Sequence, residues 1–156
     1  MSAHKQLLLV AHAPSPNLAR LRDAALEGAR DPEIETVETT WKPPLDAGPD
    51  DVLAADALIL GTPENLGYMS GALKDFFDRT YYAVIENTQG LPFAAYIRAG
   101  RDGTGTKRAI ESITTGLSWR PVQEPQDLGI FLRRDTVRGD EVLGDLRLWH
   151  SGFRCC

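Results

Sequence analysis

Cysteine is nearly absent from this chain: there are two, Cys155 and Cys156, adjacent at the C-terminus. They cannot staple a fold, and neighbouring cysteines bond each other only in strained geometry. Their plain reading is an exposed tail, since no residue nearby supports metal binding or thiol regulation. A chain that otherwise avoids cysteine suits a reducing compartment. Long apolar runs are missing too, and nothing approaches the ~18 consecutive apolar residues of a membrane span. Basic excess is lacking: 17 Lys and Arg stand against 22 Asp and Glu, for a net charge of −5. With no long run of either sign, the basic stripe of a nucleic-acid binder and the polybasic segment of a membrane contact are both excluded. The opening residues show no signal-peptide pattern, because Leu7 to Ala11 is only a strand's length of apolar chain. A cytoplasmic location is therefore expected. The acidic residues are dispersed, and no metal site is expected. Neither a G-x-G-x-x-G fingerprint nor a glycine-lysine-serine/threonine loop follows the first apolar run. That disfavours a nicotinamide or a nucleoside triphosphate as the tightly held ligand.

What is present is alternation. Leu7 to Val10 reads as a strand buried on both faces. A turn, His12 to Asn17, leads into a helix with Leu18, Leu21, Ala25 and Ala29 on one stripe, Asn17 as its N-cap and Asp31-Pro32 as its stop. Ile34 to Val37 alternates as a second strand, and the proline-rich stretch Trp41 to Pro49 reads as a loop. Asp50 to Ala55 can form a short helix, and Ala57 to Gly61 is a third, wholly apolar strand. Thr62 to Tyr68 reads as a loop before a strong helix, Met69 to Val84. A strand at Phe93 to Ile97, a glycine-rich loop at 99–105 and a helix from Lys107 to Thr115 follow. A weaker fifth strand lies around Trp119 to Val122. Gln123 to Arg134 has no clear pattern, and Asp140 to Trp149 reads as a last short helix. Strand and helix alternating about five times predict an α/β fold with a parallel sheet, covered on both faces by right-handed crossovers.

In such sheets ligands bind beyond the carboxyl ends of the strands, which selects the loops 12–17, 62–68 and 99–105. In the first, Ser15, Asn17 and the free amides of Asn17, Leu18 and Ala19 could wrap a phosphate at a helix N-terminus. Pro16 contributes no N–H but stiffens the turn. The same residues are equally consistent with a plain turn and cap. In the second, Gly61, Gly67 and Gly71 allow backbone to approach a flat ligand, and Tyr68 offers a face for stacking. Ser70 can cap the helix behind it. In the third, Ala99 to Gly105, the glycines present amides, and Arg101 either adds charge or simply pairs with Asp102. His4, His12 and His150 are isolated, and His12 reads as a loop-ordering residue. No catalytic side chain is expected.

The run Gly61-Thr62-Pro63 through Met69-Ser70-Gly71-Ala72-Leu73-Lys74-Asp75-Phe76-Phe77-Asp78-Arg79 closely resembles the flavodoxin-like family, especially its FMN-dependent NAD(P)H:quinone and FMN reductase branches. Ser15-x-Asn17 is similar to the S-x-N phosphate site of the reductase branch, whereas His12, Pro14 and Pro16 depart from the threonine- and serine-rich phosphate loop of electron-carrying flavodoxins. The resemblance implies a three-layer flavodoxin-like sandwich with a five-stranded parallel sheet in the order 2-1-3-4-5. It implies a single FMN-binding domain over residues 1–149, with 150–156 as a C-terminal tail. The cofactor is expected at Ser15, Asn17 and Leu18 for the phosphate, and at Pro63, Glu64, Asn65, Leu66, Gly67, Tyr68 and Met69 over the ring. Ala99, Gly100, Arg101, Gly103 and Gly105 are expected along its pyrimidine edge. Electrons are expected to pass from NAD(P)H through FMN to a quinone, flavin or similar acceptor, and the resemblance suggests a homodimer. A flavodoxin-type electron carrier is the competing expectation, as is a flavin-free binding module. Carriers are commonly strongly acidic around the flavin, and a charge of −5 is modest for one.

Overall fold

The computed structural model describes residues 4–100 and 102–122. Strand β1 (Lys5–Ala11) leads through a short turn to helix α1 (Pro16–Ala29), and β2 (Val37–Lys42) to α2 (Pro49–Ala54). The long β3 (Ala57–Asn65) folds back on the two-residue β4 (Tyr68–Met69) before α3 (Gly71–Val84). Then come β5 (Pro92–Arg98), α4 (Thr104–Gly116) and the two-residue β6 (Arg120–Pro121).

The sheet runs β2-β1-β3-β5-β6 with every pairing along that path parallel, and β4 hangs off β3 as an antiparallel hairpin. The five parallel strands thus stand in the expected order. The sixth strand is an addition, formed where a loop was expected.

Each crossover is right-handed by the general rule for parallel strands, and each helix buries one stripe. Helix α1 buries Leu18, Leu21, Ala25 and Ala29 against Leu7, Leu9, Ala11, Ile59 and Tyr96 on one face of the sheet. The other face, with Leu8, Val10, Leu58, Leu60 and Phe93, is covered by Val52 of α2, Leu73, Phe76 and Phe77 of α3, and Ile110 of α4. Alternate residues of β1, β3 and β5 therefore belong to opposite cores, as the two-residue period of a strand requires. Phe77 sits 5.5 Å from Phe76 and 6.3 Å from Trp119, ring centre to ring centre, which ties α3 to the residue just before β6. Burying a phenylalanine of this kind is worth about 1.5–3 kcal/mol.

Several boundaries differ from the expectation. The second strand is Val37–Lys42, not Ile34 to Val37. Thr36 at φ 66° turns the chain just before it, and Thr39 and Trp41 supply its inward face. Ser15, not Asn17, is the N-cap of α1, with Pro16 in its first turn. Gln123 to Arg134, the helix expected at Asp140 to Trp149, and the 150–156 tail lie outside the described residues, as does Arg101.

Candidate functional site

Three turns leave the carboxyl ends of adjacent strands. The pairing register puts Ala11 of β1 opposite Gly61 of β3, Gly61 opposite Tyr96 of β5, and Pro63 opposite Arg98. Turns 12–15, 66–67 and 99–103 therefore rise from one edge of the sheet. The first is tied to β3 by the His12 amide, which donates to the Gly61 carbonyl at 2.9 Å.

Beyond Gly61, β3 continues for four residues after β1 has turned away. Proline at position 63 is tolerated there. Peptide groups alternate sides along a strand, so Pro63 repeats the orientation of Gly61, toward β1, where no partner remains. Thr62, fully buried, clamps the far end of this extension. Its hydroxyl accepts from the Ser70 amide at 3.0 Å and donates to the Pro63 carbonyl at 2.9 Å. Ser70 in turn caps α3, its Oγ accepting from the Leu73 amide at 3.2 Å.

Leu66 and Gly67 form the hairpin tip, both at positive φ, 52° and 74°. This two-residue geometry matches strand twist but suits glycine and asparagine rather than leucine. The Leu66 side chain is fully exposed. Leu66→Asn is expected to raise stability by about 0.5–1 kcal/mol, read as a higher denaturation midpoint at unchanged m-value.

The hairpin is fastened to the third turn. Thr106 donates its hydroxyl to Glu64 Oε2 at 3.1 Å. At Gly105 there is room for hydrogen only, since a Cβ would run into the Gly67 carbonyl oxygen. The second and third turns are thus brought together. Glu64, expected over the ring, is already engaged by α4.

The expected residues divide by burial. Leu18, Met69 and Ala99 are core side chains, so only their backbone can face a ligand. Asn17, Asn65, Gly67, Tyr68 and Gly100 are exposed, while Ser15 and Glu64 are half-buried. Gly67 and Gly100 border open space. Trp41 is tied to the sheet edge: its Nε1 donates to the Ala11 carbonyl at 3.3 Å, and the Arg22 guanidinium stacks on its ring at 4.3 Å.

Three helices follow these turns, and their N-termini are not equivalent. At α3 the Ser70 hydroxyl already takes the Leu73 amide at 3.2 Å, and Gly71 ahead of it is exposed. The first turn of α4 already meets a carboxylate, Asp102 Oδ1, accepting from the Thr104 amide at 3.0 Å. The first turn of α1 carries no acidic residue, and Ser15 Oγ accepts from the Leu18 amide over a long 3.4 Å. Its leading amides have no intrahelical acceptor, so α1, with its long cap bond, offers a seat for an anion.

Two residues beyond those expected as ligands also mark this edge. Among the described residues, His12 Nδ1 and Arg98 Nε are the buried side-chain nitrogens without a hydrogen-bond partner, and they cap β1 and β5. Orphaned buried donors and acceptors are rare and point to an absent partner. Arg98 carries no sequence signal, because an arginine ending a strand reads as a solvated edge. An open anion seat, open glycines and unpartnered nitrogens on one sheet edge fit a phosphate-bearing planar ligand such as FMN.

Burial holds the His12 imidazole below its ordinary pKa of 6.5. The folded protein then takes up this proton less readily than the unfolded chain. His12 therefore costs no stability above pH 6.5 and destabilises progressively as pH falls below it. His12→Asn is expected to flatten that part of the pH–stability profile, measured by urea titration between pH 5 and 8. Burial likewise pushes the Tyr96 phenol up, so the ring packed on Gly61 stays neutral.

Among the described residues no helix is long and apolar enough to cross a membrane, and no three metal-ligating side chains cluster.

A family model described as NADPH-dependent FMN reductase matches residues 14–127. A flavodoxin from Aquifex aeolicus is 31% identical over 112 residues, 72% of this chain and 60% of that protein. An NAD(P)H dehydrogenase (quinone) from Acidithiobacillus ferrooxidans is 30% identical over 93 residues, 48% of this chain and 46% of that protein. The chain thus matches about half to three-fifths of the length of these relatives. A solved archaeal flavodoxin superposes with TM-score 0.72 at 20% identity, covering 96% of this chain and 94% of that one. An NADH:FMN oxidoreductase in its apo form superposes with TM-score 0.73 at 19% identity, covering 97% and 89%.

Proposed function

We propose that this chain, which belongs to the NADPH-dependent FMN reductase family, binds FMN at the carboxyl edge of its sheet and carries electrons from NAD(P)H to a quinone, a flavin or a similar acceptor. The observation that carries this reading is the edge itself. The first turn of α1 there carries no carboxylate and only a long side-chain cap, while the hairpin and the start of α4 meet at the same edge through Gly67 and Gly105.

The roles of the chain's own groups follow from their chemistry. The amides of Asn17, Leu18 and Ala19, with the Ser15 hydroxyl and the Asn17 side chain, would hold the phosphate. The long Ser15–Leu18 bond leaves both partners free to turn to phosphate oxygens. The extension of β3 and the hairpin, with Tyr68, would wall the ring, and the amides around Ala99, Gly100 and Gly103 would meet its polar edge. Gly105 would serve by letting the hairpin lie close. The bound flavin supplies the hydride chemistry, so no acid–base residue is required. A half-buried His12 whose pKa is lowered by burial is consistent with that. A homodimer and a cytoplasmic location belong to the same proposal, and the exposed Leu66 and Tyr68 beside the site would suit a partner subunit.

Anaerobic mixing of the FMN-loaded protein with NADPH and with NADH tests the activity. Bleaching of the flavin band by either is the expected result, and no bleaching by both ends the enzyme reading. The similarity to a flavodoxin favours a second reading, an electron carrier without turnover of its own. That protein would bind FMN equally well but would be reduced only by a partner reductase.

A further inference from the structure

Arg98 ends β5 in register with Pro63 of β3. Strand alternation puts its side chain on the face shared by Ala94 and Tyr96, the face that α1 covers. Its Nε is buried and has no acceptor, and no hydrogen bond or ion pair engages its guanidinium among the described residues. A guanidinium is always charged and offers five donors in a rigid fork. Arg98 is half-buried, and leaving its buried Nε–H unanswered is unfavourable unless something at the site completes it.

From these observations we infer that Arg98 is a cofactor-contacting residue, whose guanidinium receives the pyrimidine edge of the flavin and favours the reduced form. This rests on the FMN reading above. Two placements choose the ring over the phosphate. The anion seat belongs to α1, which follows β1, and β5 stands two strands away, about 10 Å at the usual strand spacing. The turn that begins directly after Arg98 is the one joined to the hairpin, and its Gly100 borders open space, so a planar ligand can come close beside Arg98. Negative charge gathers on the N1–C2=O2 side of a flavin when it is reduced. A fixed cation there binds the reduced form more tightly than the oxidised form.

The midpoint potential of bound FMN, measured with the oxidised-state dissociation constant, tests this in the wild-type protein, Arg98→Gln and Arg98→Lys. Arg98→Gln is expected to shift the ratio of reduced-state to oxidised-state affinity about tenfold, a potential lower by about 30 mV for a two-electron couple. Arg98→Lys, which keeps the charge but not the buried Nε–H, is expected to fall between. An unchanged potential overturns the inference, whether or not FMN binding weakens. Weaker binding at constant potential would assign Arg98 to the phosphate instead. Should Arg98→Gln show no melting transition, Arg98→Lys is judged by the same criterion. A wild-type protein that binds no FMN ends the functional reading itself and is told apart from a failure at Arg98.

Discussion

Asn17→Asp is expected to weaken FMN binding about 100-fold while leaving the affinity for riboflavin, which lacks the phosphate, unchanged. Residue 17 is exposed in the first turn of α1, where that helix is otherwise free of acidic side chains. A carboxylate there would face the phosphate at hydrogen-bonding range. Two unit charges 4 Å apart at an effective dielectric constant near 20 repel by about 4 kcal/mol. Screening by salt at an exposed position reduces this, and about 2.7 kcal/mol is the 100-fold loss expected. The effect on folding has the opposite sign. An acidic residue in a first helical turn complements the helix dipole and adds about 0.3–1 kcal/mol. The variant should therefore melt slightly higher while binding FMN far more weakly, a combination that general damage cannot produce. Fluorescence titrations with FMN and riboflavin at two salt concentrations read it out. Equal losses for both flavins would remove the phosphate from α1.

Gly105→Ala is expected to destabilise the protein by about 2 kcal/mol, the range of an overpacked core position, and to lower Tm by roughly 4–8 °C for a chain of this size. The added methyl collides with the Gly67 carbonyl, a backbone atom that cannot rotate aside. The hairpin has to lift from α4, stretching the Thr106–Glu64 hydrogen bond. Gly100→Ala is the matched control, since its Cβ would meet nothing. It should be neutral or slightly stabilising through the unfolded chain. Equal effects at the two glycines would mean that the hairpin is not held through Gly105.

Much of this architecture could be read from residue patterns. The apolar runs at Leu7 and Ala57 are buried on both faces, so they could only be central strands, and the helical stripe through Leu73, Phe76 and Phe77 left little choice. Failures occurred where tertiary neighbours changed what a residue costs. Thr62 and Pro63 look like the start of a loop, yet Thr62 satisfies its hydroxyl within the strand and Pro63 points where no ladder bond is due. The edge strand β2 was misplaced because its inward residues are Thr39 and Trp41. Thr39 is buried only because its hydroxyl can donate to the Ala29 carbonyl at 3.4 Å. In the first turn Ser15, not Asn17, is the cap, since Pro16 in the first helical turn moves the cap back to Ser15. Arg98 carried no pattern at all, and its interest lies in a partner it lacks.

Because β3 passes unbroken from the middle of the sheet to the hairpin, that rim of the site has no hinge of its own. Thr62 bolts it to α3 below and Gly105 to α4 above. Among the described residues, a ligand at this edge would have to cross the opposite rims, over residues 12–15 or past Gly100, and a gating motion is expected in those two stretches.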